Sequence, residues 1–208
     1  MIDINCDMGE IDELLDDGTY EALMSYVTSI NVACGAHAGN ERMMRTMVKI
    51  AKKKNVNIGA HPSYPDRENF GRFDLGISDE ELTSSISDQI VCLINIAAEQ
   101  NCSISHVKPH GALYNNAARN EKLATLIGDV IKSIDPSLPI MCLAGSQMVK
   151  TLKSMGMKVL PESFADRTYE PDGSLRKRTY SDALIVEPQI SSLQAYNISN
   201  NNKIVAHD

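Results

Sequence analysis

The chain has 208 residues, with 20 Lys and Arg against 27 Asp and Glu and a net charge of −7. That length suits one domain with a sizeable core, residues 1–208, and the acidic balance offers no basic surface for nucleic acid. Hydrophobic residues make up 43% and charged residues 23%, which excludes a disordered or fibrous chain, and no apolar run approaches the roughly 20 residues of a membrane span.

The first strand is expected at residues 2–6, and Asp3 and Asn5 interrupt it where a secretory leader would need an apolar stretch, so a cytoplasmic protein is expected. Further short apolar runs predict strands at 29–34, 56–60, 104–108, 140–143 and 157–160, with 183–186 a seventh candidate. Helices lie between them. Asn40 caps one that runs to about Lys54. Ser78 and Glu81 form a capping box before the apolar face Leu82, Ile86, Ile90, Leu93, Ile94 and Ala97. Asn120 precedes Leu123, Leu126, Ile127, Val130 and Ile131. The five cysteines, Cys6, Cys34, Cys92, Cys102 and Cys142, are odd in number, scattered and without a CxxC pair, which predicts reduced core thiols and no cysteine-rich zinc site.

Alternation of strand and helix predicts a parallel sheet covered by helices, closed as a barrel or open and doubly wound. The turn after the first strand, Asn5-Cys6-Asp7-Met8-Gly9-Glu10, carries two carboxylates and one glycine, which repels phosphate, and no GxxxxGK[ST] occurs. A barrel is therefore favoured. Polar residues then collect at the strand ends: Asp7 and Glu10, His37 and Asn40, His61 and Asp66, Lys108 and His110, and finally Glu162, Asp166 and Arg167. In a parallel β/α barrel all these ends lie on the face that builds active sites. Asp3, Asn5 and Asp7 share one side of the first strand, and His106 and Lys108 one side of the fourth. Inward-facing charges need partners, and Asp7 or Glu162 with Lys108 is the cheapest pairing.

Other readings of the same residues stand beside this one. Asp3 and Asn5 can be structural hydrogen bonders. Gly59-Ala60 before His61 leaves room for close approach of a ligand, and Cys34 reads as a packed thiol. Asp7, His37 and His61, with His110, can bind a divalent metal ion, or can act as metal-free acids and bases around an amide. No Gly-x-Ser-x-Gly elbow occurs and neither Ser63 nor Ser163 has an obvious base, so a serine nucleophile is not expected. Arg72, Arg167, Arg176 and Arg178 can be solvated surface charges, but a negative small-molecule substrate would need at least one such guanidinium.

Five ordered stretches carry a resemblance: 3–10 (DINCDMGE), 31–40 (NVACGAHAGN), 59–66 with Phe70-Gly71-Arg72, 106–115 (HVKPHGALYN), and 162–167 followed by Tyr169, Asp172-Gly173 and Arg178. On them the chain resembles the LamB/YcsF family, described as the A subunit of the prokaryotic 5-oxoprolinase. The resemblance implies a seven-stranded TIM-like (β/α) barrel of the glycoside hydrolase/deacetylase type. It also implies ATP-dependent opening of 5-oxo-L-proline to L-glutamate with subunits B and C, the ATP handled by those partners and activating the carbonyl oxygen as a phosphate ester. Cleavage of an unstrained lactam needs an activated carbonyl, a water with a base, and an acid for the leaving nitrogen. The implied catalytic set is Asp7 or Glu10 as base or water orienter, Lys108 and His110 as carbonyl or phosphate stabilisers, and His61. The implied substrate-binding set is Asn5, His37, Asn40, Arg72, Glu162, Asp166 and Arg167, with Arg167 on the substrate carboxylate. Two departures stand out: Phe73 replaces a usual second Arg, and the chain ends at residues 204–208 where the family continues to a Cys-Val-His-Gly-Asp strand and helix. The last strand is therefore expected to be missing, leaving the barrel open or completed by another chain. A homo-oligomer is a further expectation. The alternative functions are a metal-dependent deacetylase or carbohydrate hydrolase on the same barrel, and a non-catalytic partner subunit.

Overall fold

A computed structural model of the chain describes residues 2–201 and 204. Among the described residues six strands, β1 (Asn5–Met8), β2 (Ser29–Ala33), β3 (Asn57–His61), β4 (His106–Val107), β5 (Ile140–Leu143) and β6 (Val159–Glu162), pair in chain order. Every pairing is parallel. Helices α1 (Asp12–Asp16), α2 (Thr19–Leu23), α3 (Glu41–Lys54), α4 (Asp79–Glu99), α5 (Gly111–Ala117), α6 (Glu121–Ile134), α7 (Gln147–Ser154) and α8 (Pro188–Asn201) make the connections and the C-terminal cover. The sheet curls into a half-barrel, so that Asn5 on β1 reaches Glu162 on β6 across the centre, Nδ2 to Oε2 at 3.3 Å.

Six strands among the described residues form a half-barrel where the resemblance implied seven, which fits the expectation that the last strand is missing. Residues 183–186 add no strand: Leu184 makes one isolated antiparallel bridge to Arg167, in the segment after β6, and Leu184 and Val186 stand exposed. The segment folds back on its own connection instead of laddering onto β6. The terminal His207-Asp208 pair lies outside the described residues. The outer strands also slide relative to the sequence prediction, β1 from 2–6 to Asn5–Met8 and β6 from 157–160 to Val159–Glu162. Ile2 and Ile4 look like core by alternation, yet are 61% and 55% exposed, because the ladder with β2 begins only at Asn5 opposite Ser29.

Helix starts follow the local chemistry closely. Asn40 accepts from the Met43 amide at 3.0 Å to open α3, Asn120 does the same for Leu123 in α6, and Ser78 and Glu81 exchange both bonds of a capping box on α4. Lys52, Lys53 and Lys54 close α3 where cations offset the helix dipole. Met43, Met44, Met47, Val48 and Ala51 of α3 and Leu82, Ile86, Ile90, Leu93 and Ile96 of α4 join Ile30, Val32, Ile58, Ala60, Val107 and Ile140 from the strands in one core cluster. All five cysteines are free, and burial pushes the thiols of Cys34 and Cys142 up to about 12, so both pack as apolar groups. No helix among the described residues is long and apolar enough to cross a membrane.

Gly59 on β3 has a different purpose from the one its sequence suggests. A Cβ there would lie 2.2 Å from His106 Nε2; the missing side chain makes room for the His106 ring, not for a ligand. Gly59→Ala is therefore expected to lower stability by about 1–3 kcal/mol, the usual cost of overpacking, measured as a shift of the urea midpoint. An unchanged midpoint would contradict this packing.

Candidate active site at the strand ends

Asp7 lies near the end of β1, Lys108 directly after β4, and Glu162 closes β6. Their side chains meet in the half-barrel. Lys108 Nζ is 3.1 Å from Asp7 Oδ1, 3.2 Å from Glu162 Oε2 and 3.2 Å from Asn5 Oδ1. Burial works against the ammonium, but the two carboxylates prevail and hold its pKa above the ordinary lysine value. Burial likewise works against an ionised Asp7, yet the charges of His61 and Lys108 hold it well below the usual carboxylate range. Both groups stay charged.

Asn31 in the middle of β2 supports this triad. Its Nδ2 donates to Asn5 Oδ1 at 2.7 Å and to Asp7 Oδ1 at 2.8 Å, which leaves its Oδ1 to accept from His106 Nε2 at 2.7 Å. Burial pushes His106 down to about 4, so this ring is a neutral structural donor. Glu162 Oε1 is buried with no hydrogen-bond partner among the described residues. The Tyr114 phenol stands beside Glu162, and burial with that neighbouring charge raises its pKa well above the ordinary value.

A second cluster adjoins the first. His37 lies in the loop after β2, His61 ends β3, His110 precedes α5, and Glu10 follows β1. The His37 and His110 rings stack with centroids 3.7 Å apart, and His61 meets His110 edge-on at 4.8 Å. His37 Nε2 lies 3.1 Å from Glu10 Oε1, and His61 Nε2 lies 3.4 Å from Asp7 Oδ2, which joins the two clusters. Burial pushes His37 and His110 down to about 3, with the charge of His61 adding to it. Burial also opposes a charged His61, but Asp7 outweighs it and raises that ring. Burial raises Glu10. Phe70 packs edge-on to His37 and His110, at 5.4 and 5.3 Å, with its backbone in the left-handed region at φ 58°. Asp66 holds this loop by accepting from Asn69 N, Asn69 Nδ2 and Phe73 N.

Of the residues singled out in the sequence, Asn5, Asp7, Glu10, His37, His61, Lys108, His110 and Glu162 come together. Four stand differently. Asn40 is exposed and spends its side chain capping α3. Arg72 is exposed, with its guanidinium 5.3 Å from the Phe70 ring centroid. Asp166 is exposed, in the segment after β6, where its carbonyl accepts from Ile185 N; the carboxylate that pins the Phe70 loop is Asp66. Arg167 is buried, but its Nε and one terminal nitrogen donate to the carbonyls of Ala183 and Arg176, which braces the same segment. Asp3 accepts from Thr28 and Ser29 at the opposite end of the strands, as a structural hydrogen bonder.

The sequence reading passed over Asn31 and the Ser63–His37 contact. An Asn inside the buried run Ser29–Ala33 was the available signal, since a polar group there must be satisfied. Ser63 does have an imidazole beside it, His37 Nδ1 at 3.0 Å, but its hydroxyl donates to the Tyr64 carbonyl at 2.7 Å, so it accepts from the ring. The metal-ligand set also changes. One atom each from Glu10, His37, His61 and His110 lies within 4.8 Å of the others, an arrangement that could hold a metal ion. Asp7, expected among the ligands, is engaged instead by Lys108, Asn31 and His61.

Comparison with known proteins places this geometry. The model of the LamB/YcsF family matches residues 2–208. A protein from Chloroflexus aggregans, named as the A subunit of 5-oxoprolinase, is 42% identical over 207 residues, 100% of this chain and 82% of its own length. One of the same name from Clostridium beijerinckii is 39% identical over 205 residues, 99% of this chain and 80% of its own. The crystal structure of a lactam utilization protein from Thermus thermophilus superposes with a TM-score of 0.92 at 33% identity, covering 100% of this chain and 84% of that one. With a family model spanning nearly every residue and relatives matched over their greater part, the chain belongs to the LamB/YcsF family.

Proposed function

We propose that this chain is the subunit of a 5-oxoprolinase that carries the lactam-opening site, hydrolysing 5-oxo-L-proline to L-glutamate in an ATP-dependent complex with subunits B and C. The observation that carries the reading is the ammonium of Lys108, kept charged between Asp7 and Glu162 where the strand ends converge. The names of the relatives, 5-oxoprolinase and lactam utilization protein, support the substrate class.

Lactam opening puts negative charge on the carbonyl oxygen as water adds to the carbon; the C–N bond then breaks and the ring nitrogen leaves with an added proton. A fixed cation in a site of low dielectric stabilises that oxygen, or a phosphate carried on it, without reorganising. Lys108 takes this role. Asp7 retains partial access, with 34% of its side chain exposed, and its secured negative charge orients the attacking water as a hydrogen-bond acceptor. Glu10, His37, His61 and His110 wall the site on the other side, and Phe70 packs behind the rings of His37 and His110. The chain has no phosphate-binding glycine loop, which fits ATP handling by the partner subunits.

Two outcomes test this. The chain reconstituted with subunits B and C is expected to release glutamate from 5-oxoproline with ATP, and the chain alone to release none, by coupled glutamate assay. Within the complex, Lys108→Met is expected to lower kcat by about 100-fold or more, the scale of a lost oxyanion donor, with circular dichroism confirming the fold. Retained turnover in that variant would remove Lys108, and this reading of the site, from the reaction.

A further inference from the structure

Each of the three clustered imidazoles spends its outward nitrogen on a group that can only accept. His61 Nδ1 donates to the Lys108 carbonyl at 2.7 Å, and His110 Nε2 donates to the Phe70 carbonyl at 2.9 Å. His37 Nδ1 faces Ser63 Oγ at 3.0 Å, and Ser63 gives its own proton to Tyr64 O. The tautomers follow. With the three rings neutral, His61 Nε2, His110 Nδ1 and His37 Nε2 all turn lone pairs inward, toward Glu10 Oε1, and the proton that Asp7 favours on His61 is the single one available to them. Acceptor then faces acceptor, at 3.0 Å between His110 Nδ1 and His61 Nε2 and at 3.1 Å between His37 Nε2 and Glu10 Oε1. One shared proton relieves one such contact. A cation among the four atoms relieves all of them.

The separations suit such an ion. Glu10 Oε1 is also 3.5 Å from His110 Nδ1 and 4.0 Å from His61 Nε2, and all four atoms lie within 4.8 Å of one another. Tetrahedral zinc with bonds of about 2.0–2.1 Å sets its ligand atoms about 3.3 Å apart. Backbone carbonyls, which take the far N–H of His61 and of His110, are usual outer partners of metal-bound histidine, because they fix the tautomer and raise the basicity of the ligand nitrogen; for His37 the Ser63 hydroxyl takes that place. Three imidazoles and one carboxylate favour a borderline divalent transition ion over magnesium or calcium, which take oxygen ligands.

We infer that Glu10, His37, His61 and His110 form a divalent transition-metal site of the zinc class. Bound there, the ion would supply Lewis-acid polarisation of a water or carbonyl oxygen. The inference rests on the ring tautomers and the four-atom geometry, not on the proposed reaction, and its test reads binding rather than turnover.

The full chain, prepared without a histidine tag or chelator, should carry about one zinc per chain by elemental analysis. Cobalt(II) added to metal-stripped protein should give the intense visible absorption of tetrahedral coordination. His110→Gln should weaken Zn2+ binding by about 100-fold or more and Ser63→Ala by about 10-fold, the scale of lost outer support. Ser63→Ala decides the matter should His110→Gln fail to fold. A chain with substoichiometric metal that takes up neither Zn2+ nor Co2+, or one whose affinity is unchanged by both substitutions, would overturn the inference.

Discussion

Lys108 puts its ammonium where water barely reaches, with 5% of the side chain exposed, and the surrounding structure is arranged to keep it charged. Asp7 comes from β1 and Glu162 from β6, so one side chain at the end of β4 ties the two edges of the sheet to its middle. A buried ion pair of this kind gains little net stability over an apolar replacement, because desolvating the charges offsets most of their attraction. Its consequence lies in specificity. Asn31 must turn its amide nitrogen toward Asp7 and Asn5, His106 must donate to Asn31, and Gly59 must lack a side chain so that His106 fits. Each step satisfies a buried polar group created by the one before, and the chain of contacts spans β1 to β4.

The same constraint explains how six strands hold a curled form without a seventh among the described residues. Among the described residues β1 and β6 have no outer partner strand, and Ile2, Ile4 and Leu160 beside them are exposed. Hydrogen bonding between strands therefore does not close the sheet. Polar contacts inside do, through Lys108 and the Asn5–Glu162 bond. The price of that solution is one buried carboxylate oxygen, Glu162 Oε1, left without a hydrogen-bond partner among the described residues.

The imidazole cluster adjoins this frame and shares a residue with it. His61 belongs to both halves, donating to the backbone of Lys108 while its other nitrogen approaches Asp7. His37 and His110 stack on each other, held by Ser63 and by the Phe70 carbonyl of a loop that Asp66 pins. The loop backbone at Phe70 sits in a left-handed conformation uncommon for a bulky residue. Strain of that sort persists where the surroundings over-determine it, and here the Phe70 ring and carbonyl are both held against the cluster.

Much of this was legible in the amino-acid sequence because the controlling physics is local or topological. The caps Asn40, Ser78 and Asn120 act within three residues of themselves, and they mark their helices correctly. The parallel sheet follows from strand–helix alternation, and it carries Asp7, His61, Lys108 and Glu162 to one face wherever the loops lie. Two matters belonged to the tertiary structure alone. The register of β1 and the failure of residues 183–186 to form a strand depend on which edge is available for pairing, a property of the assembled sheet. The partners of each polar side chain depend on contacts across 75 residues for His106 and Asn31 and 157 for Asn5 and Glu162, and such contacts leave no local pattern. Hence Arg167 could be read from sequence as a substrate-binding guanidinium, when only the folded chain shows it donating to the carbonyls of Ala183 and Arg176. Residue type and strand position determined which groups reach the site; packing at a distance decided what each one does there.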